Sequence, residues 1–209
     1  IKLNVETVFL GGGSPTILKR EDLKNLVDKL KSLFEWSKVV NFTVESDPRR
    51  VDEDRLLYNH KMCGTNRISF GMQDFDPDVQ RRVNRIQPAE LFKKILTKKV
   101  REVYKTIAFD LLIGQPGQTT ETMSKTCDQI IELQPTLVQL SLMAYKPWVA
   151  KYQIQMLAEG PLPDFLERKE LLEVIHKKLK AAGYIRTGFE CYSLPDDPMT
   201  KAFREGTAH

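Results

Sequence analysis

Short apolar runs alternate with amphipathic stretches almost from the first residue, and this constrains the fold more than any other feature. Residues 5–10 form an apolar run that stops at Gly11, Gly12 and Gly13. A helical stripe follows, carrying Leu23, Leu26, Val27, Leu30, Leu33 and Phe34, with Glu21 and Asp22 in the first turn, where the helix dipole favours acids. Residues 39–45 read as a second strand, and 51–62 as a helix stopped at Gly64. A third strand spans 67–71. Asp76 then caps a helix with Pro77 at its first position, and Pro88 starts a Lys-rich helix. A fourth strand spans 107–113 and turns at Gly114-Gln115-Pro116-Gly117-Gln118. Met123, Cys127, Ile130 and Ile131 mark the next helix, and 137–144 a fifth strand. After an irregular stretch around Pro147 and Pro161, Asp164 opens a long helix through Leu172, Ile175 and Leu179. That helix ends near Gly183, and 184–191 reads as a sixth strand.

Strands separated by helices imply a parallel sheet with right-handed crossovers. A closed eightfold barrel needs about 250 residues, so 209 residues fit an α/β fold of an incomplete or six-stranded parallel (β/α) barrel. There is no internal linker, low-complexity tract or repeat. Residues 1–192 are read as the barrel, and 193–209 as the start of a truncated C-terminal extension. The first strand begins so early that a preceding βα unit is expected upstream.

Composition narrows the function classes. Three cysteines, Cys63, Cys127 and Cys191, lie far apart, which excludes a disulfide scaffold and any four-cysteine metal site built by this chain alone. No apolar run approaches the roughly 20 residues of a membrane span, and no signal-peptide pattern opens the sequence. A cytoplasmic protein without a membrane span is therefore expected. The net charge is +4, with Lys plus Arg 32 and Asp plus Glu 28. Its densest basic stretch, Lys93, Lys94, Lys98, Lys99 and Arg101, alternates with Leu91, Phe92, Ile95, Leu96 and Val100. This is a solvated helix face rather than a nucleic-acid surface, and no RNA-binding or zinc-finger motif accompanies it. A mildly cationic protein also suits a polyanionic small substrate.

In parallel α/β folds, chemistry gathers at the carboxyl ends of strands. Gly11–Ser14, Glu45, Gln73 with Asp74, Asp110, and Ala144 with Tyr145 all lie in or after strands, and Arg85 sits on the excursion after the third. If they converge, they suit a ligand with amine, carboxylate and hydroxyl groups. The glycines are equally a tight turn or a close backbone approach to a ligand. Asp47-Pro48 reads as the turn into the following helix. Glu45 and Asp110 have apolar neighbours and are costly to leave buried and unpaired, which favours a functional role. Arg85 either pairs with Asp78 or Glu90 on the surface or clamps a carboxylate with its planar fork. His60 and His176 read as surface residues, His209 is the last residue, and Cys127 lies on a core stripe as an inert thiol.

Several motifs in register carry a resemblance. They are Val8–Thr16 with its three glycines, Val44–Arg49, Asn66–Phe75, Val79–Arg85, Phe109–Gly114 with Pro116–Thr119, Tyr145–Trp148 and Leu194–Asp197. Together they resemble the radical S-adenosylmethionine (SAM) enzymes, and within them the oxygen-independent coproporphyrinogen III oxidases and their relatives. The resemblance implies that Gly12, Gly13 and Ser14 meet the methionine end of SAM and that Arg85 faces its carboxylate. It also implies that Gln73 and Asp110 contact ribose hydroxyls or a neighbouring SAM, that Glu45 meets the amine or a second SAM, and that Ala144 borders adenine. It implies a four-iron four-sulfur (4Fe-4S) cluster, an electron donor and a tetrapyrrole substrate, whose propionates are oxidatively decarboxylated in haem biosynthesis. A haem-binding chaperone, a methyltransferase and a haem-degrading relative are the alternatives within the same resemblance.

The sequence also departs from that pattern. The cluster-binding CxxxCxxC loop that precedes the glycine motif in the family is absent from these residues, so its ligands are expected upstream, and the chain alone is expected to be inactive. Gln115 stands where the family commonly has Leu, and Lys146 where it commonly has His. Glu190-Cys191-Tyr192 replaces an Asp-His-Phe-like stretch.

Overall fold

The computed structural model describes residues 2–207. The first apolar run becomes strand β1 (Thr7–Leu10), followed past a single 3-10 turn by helix α1 (Arg20–Leu33). Leu23 and Val27 of the expected stripe are fully buried, while Leu26 and Leu33 are exposed. Strand β2 (Asn41–Ser46) alternates half-buried and buried residues, as a half-covered strand does. Asp47 then caps a 3-10 turn, Pro48–Arg50, bearing out the reading of Asp47-Pro48 as a turn. Helix α2 (Glu53–Tyr58) runs on into a π-helical turn, Asn59–Cys63, and stops at Gly64 in the left-handed conformation.

Strand β3 (Arg67–Gln73) leads to helix α3 (Pro77–Arg82), whose cap Asp76 accepts from the amides of Asp78 and Val79. The Lys-rich segment is two short helices, α4 (Ala89–Ile95) and α5 (Lys98–Val103), because Thr97 caps the second. Lys93, Lys94, Lys98, Lys99 and Arg101 are exposed, while Phe92, Ile95 and Val100 are buried. Strand β4 (Thr106–Ile113) and helix α6 (Thr120–Leu133) follow. After strand β5 (Leu137–Leu142), the stretch expected to be irregular contains helix α7 (Tyr152–Ala158). Helix α8 (Phe165–Ala181) opens on a capping box between Asp164 and Glu167.

The sixth strand differs from expectation. It is two short strands, β6 (Ile185–Arg186) and β7 (Cys191–Ser193), paired antiparallel, before helix α9 (Pro198–Glu205). Gly188 interrupts the run and the chain turns back, so that the Thr187 amide donates to the Cys191 carbonyl at 2.9 Å.

The strands form one open sheet in the order β1-β2-β3-β4-β5-β7-β6. β1, β2 and β3 are parallel, with Leu10 beside Val44 and Glu45 beside Ser69. β7 lies antiparallel to β5 and β6. This is the incomplete form of the expected fold, with a seventh strand. Among the described residues no helix is long and apolar enough to cross a membrane.

The chain divides into two compact units, one made of the residues up to Gly71 with Glu90–Ala108, the other of Met72–Ala89 with the residues from Phe109 onward. In the first, Leu23, Val27, Phe42, Val44 and Cys63 form a buried cluster, and Phe70 meets Phe92 edge-on at 5.6 Å. In the second, Phe75 meets Phe109 edge-on at 6.4 Å.

Candidate binding site

The first unit holds Gly12, Gly13, Ser14 and Glu45. Parallel pairing of Leu10 with Val44 carries the end of β2 beside the glycine loop, and the Gly12 amide donates to Glu45 Oε2 at 3.0 Å. Gly11 eases that approach, because a Cβ there would overlap the Phe9 ring and come within 2.9 Å of the Glu45 carboxyl carbon, so that both side chains would have to shift. Gly12 and Gly13 have φ of +85° and +116°, and no heavy atom lies within 4 Å of where a Cβ would stand. The loop is therefore both a turn and an open backbone surface. Ser14 Oγ accepts from the Asp47 amide at 3.1 Å and lies 2.9 Å from Thr16 Oγ1, which ties the loop to the segment after β2. Glu45 is half-buried, and the Gly12 amide is the partner its carboxylate called for.

The second unit holds Gln73, Arg85, Asp110 and Ala144. Gln73 closes β3 with φ of +69°, and the Asp74 amide donates back to the Met72 carbonyl at 2.9 Å. Such a three-residue turn is strained for a residue with a side chain, at a cost on the order of 1–3 kcal/mol. Asp74, only 1 % exposed, anchors it. Its carboxylate accepts from the Asp76 amide at 2.8 Å, Thr126 Oγ1 at 2.6 Å and Gln118 Nε2 at 2.6 Å. Burial pushes the Asp74 carboxyl above its ordinary range, against the opposing pull of those donors. Gln118 Oε1 in turn accepts from the Gly114 and Gln115 amides at 2.7 and 3.0 Å, fixing the loop after β4.

Asp110 lies inside β4, half-buried between the fully buried Phe109 and Leu111, on the strand face it shares with Leu112. Arg85 is presented by a left-handed Asn84 (φ +51°) at the end of α3, where the Arg85 amide donates to the Gln80 carbonyl at 2.8 Å. Its Nε donates to Gln87 Oε1 at 3.1 Å. The surface partners considered for Arg85 have other cations beside them. Asp78 meets Arg81 and Arg82 at 2.8 and 2.6 Å, and Glu90 lies 3.8 Å from Lys93. Ala144 is exposed, and buried Gln153 of α7 clamps its segment by donating to the Ala144 carbonyl at 3.0 Å and accepting from the Lys146 amide at 2.6 Å.

The buried glutamines Gln80, Gln87, Gln118 and Gln153, with Thr126, are what sequence reasoning missed. Their signal was slight: uncharged side chains that bond to backbone groups several residues away.

The two histidines read as surface residues are half-buried instead. His60 Nδ1 donates to the Thr65 carbonyl at 2.7 Å, and His176 Nδ1 lies 3.1 Å from Tyr192 Oη, because each helix turns its imidazole toward a polar partner. His209 lies outside the described residues. Cys127 is buried on α6 and its thiol is pushed up to about 12 by desolvation, an inert thiol. Cys63 is buried at the end of the π-turn, and half-buried Cys191 is on β7. These cysteines do not fit an iron–sulfur cluster. Among the described residues no group of three His, Cys, Asp or Glu side chains could hold a metal ion.

The family pattern described as "Radical SAM superfamily" matches residues 1–130. An oxygen-independent coproporphyrinogen III oxidase of Cereibacter sphaeroides is 35% identical over 196 residues, covering 94% of this chain and 43% of its own length. Its counterpart in Pseudomonas aeruginosa is 33% identical over 205 residues, covering 97% of this chain and 44% of its own length. The solved structure of coproporphyrinogen III oxidase from Escherichia coli, described as a radical SAM enzyme, matches with a TM-score of 0.88 and 31% identity, covering 97% of this chain and 46% of that one. The chain spans less than half the length of these relatives. By the match over residues 1–130, the chain belongs to the radical SAM superfamily.

Proposed function

We propose that this chain is the SAM-binding part of an oxygen-independent coproporphyrinogen III oxidase, which decarboxylates coproporphyrinogen III oxidatively to protoporphyrinogen IX in haem biosynthesis. The observation that carries the reading is the open glycine loop with the Glu45 carboxylate drawn onto the Gly12 amide. A carboxylate acceptor beside exposed backbone suits an ammonium group, and the absence of Cβ atoms at Gly12 and Gly13 admits a ligand to the main chain. In this reading Gly12, Gly13, Ser14 and Glu45 hold the methionine end of SAM. Arg85 receives a carboxylate on its planar fork, Gln73 and Asp110 meet hydroxyls, and Ala144 lines the adenine. SAM, when reduced, supplies the radical chemistry, and the protein orients it and excludes water.

The residues named above suit the groups of SAM, whereas among the described residues no set of side chains suits the cluster. Residues 1–192 are assigned to the partial barrel and 193–209 to an extension from it. The substrate is a tetrapyrrole with acidic side chains, suited to a protein of net charge +4, and reduction calls for an electron donor. Calorimetric titration with SAM tests the site: Asp110→Ala is expected to weaken binding about tenfold with an unchanged thermal melt, and unaltered affinity sinks the assignment. The cluster-loaded protein is then expected to release carbon dioxide from coproporphyrinogen III in oxygen-free, reducing conditions. SAM binding without that release would move the function to a haem-binding or other radical SAM relative.

A further inference from the structure

We infer that Gln87 is a positioning residue for Arg85, fixing the guanidinium plane before any ligand arrives. The inference rests on the reading of Arg85 as the carboxylate-binding group of the SAM site. Gln87 is 1 % exposed, and both ends of its amide are used. Nε2 donates to the Met72 carbonyl at the end of β3, so Oε1 is turned the other way, where it accepts from Arg85 Nε at 3.1 Å. The Met72 contact thus decides the amide's orientation, and the amide decides which edge of the Arg85 fork is engaged by the protein.

Gln87 is itself gripped by its backbone. Its amide donates to Gln80 Oε1 at 3.0 Å, and its carbonyl accepts from Gln80 Nε2 at 3.0 Å. Gln80 Nε2 also donates to the Asp74 carbonyl at 2.8 Å. Asp74 is bonded to Thr126 of α6 and to Gln118 of the loop after β4. Arg85 therefore stands at the outer end of a buried polar chain rooted in two other segments of the same unit. A long, rotamer-rich cation on a turn after a short helix is costly to order, and a contact that orders it before binding removes part of that cost from the binding step.

The chain also shows why Gln87 can be replaced without dismantling its surroundings. In Gln87→Met, both backbone contacts with Gln80 persist, and the Met72 carbonyl still accepts from the Asp74 amide at 2.9 Å. The contact with Arg85 is lost.

The test compares binding of SAM and of decarboxylated SAM, which lacks the carboxylate, to the protein and to Gln87→Met, Arg85→Ala and the double variant. Positioning predicts that Gln87→Met weakens SAM about fivefold to tenfold, leaves decarboxylated SAM within about twofold, and adds no further loss in the Arg85→Ala background. Equal losses for both ligands, or a further loss in the Arg85→Ala background, would mean a merely structural role and overturn the inference, as would no loss at all. If Arg85→Ala itself leaves SAM affinity unchanged, the reading of Arg85 as the carboxylate group falls, and the inference with it. Hydrogen exchange at Arg85 Nε gives a readout without any substitution. Protection is expected already in the ligand-free protein, and protection that arises only when SAM is added overturns pre-positioning.

Discussion

Gln115 is 2 % exposed, yet its side-chain carbonyl has no hydrogen-bond partner. A buried acceptor left unmade costs about 1–3 kcal/mol, whereas an apolar side chain of similar volume at the same place costs nothing of the kind. The backbone amide of Gln115 is already satisfied by Gln118 Oε1, so the loop does not depend on the side chain for its shape. Gln115→Leu is therefore expected to stabilise the protein by about 1 kcal/mol, read as a higher urea midpoint with an unchanged slope. A lower midpoint would show that Oε1 is satisfied in solution and that the orphan is not a cost. At the same scale, the contact of Glu45 with Gly12 was half legible: an acid among apolar neighbours calls for a partner, whereas a glycine run after a strand is equally a turn or an open backbone. Gln87 was not. Its meaning lies in bonds to Met72 and Arg85 that only the folded chain brings within reach.

Helices and strands were legible where one signal dominated. Asp76-Pro77, Gly64 and the Asp164–Glu167 box set their helix ends locally, and each stands where the periodicity puts it. The last strand failed because the stretch 184–191, read as continuous, contains Gly188, and a backbone able to turn there folds into two antiparallel pieces. Helix α7 was hidden by prolines on both sides, which punctuate a chain without forbidding a helix between them. The tie between the turn after β3 and α6 through Asp74 and Thr126 yields a pH test. Because burial raises the folded-state pKa of Asp74 above its unfolded value, the protonated form is the one folding favours. Its stabilising contribution is full below the unfolded pKa and is lost as pH rises through the folded value. Asp74→Asn removes that loss while imposing a constant penalty, since its new amide donor faces the Gln118 donor. Urea midpoints measured across the acid range should therefore show native stability falling, relative to the variant, as pH rises. Parallel profiles would mean that the converging donors hold the carboxyl at its ordinary value.

For the whole molecule, the cysteines and the residues proposed for SAM point in different directions, and the difference can be tested. None of the eight residues proposed for SAM is a cysteine, and the three thiols sit on separate elements. Cys63 is part of the cluster with Leu23, Val27, Phe42 and Val44, where desolvation raises its pKa, and Cys127 is buried in α6. A cluster needs thiolates brought together at one point, and either buried thiol would have to leave its core to serve, at a cost of several kcal/mol in lost packing. These 209 residues treated anaerobically with iron and sulfide are therefore expected to keep their thermal melt and to gain none of the broad visible absorption of a four-iron cluster. In the native state a thiol reagent should modify Cys191 first, since it alone is not buried, and should reach Cys63 and Cys127 only on unfolding. SAM binding is expected to persist through both treatments, because none of the residues assigned to it is a cysteine. If reconstitution instead produced a cluster that Cys63→Ser or Cys127→Ser abolished, those thiols would be ligands rather than core, and the proposed separation between SAM binding and cluster binding would be wrong.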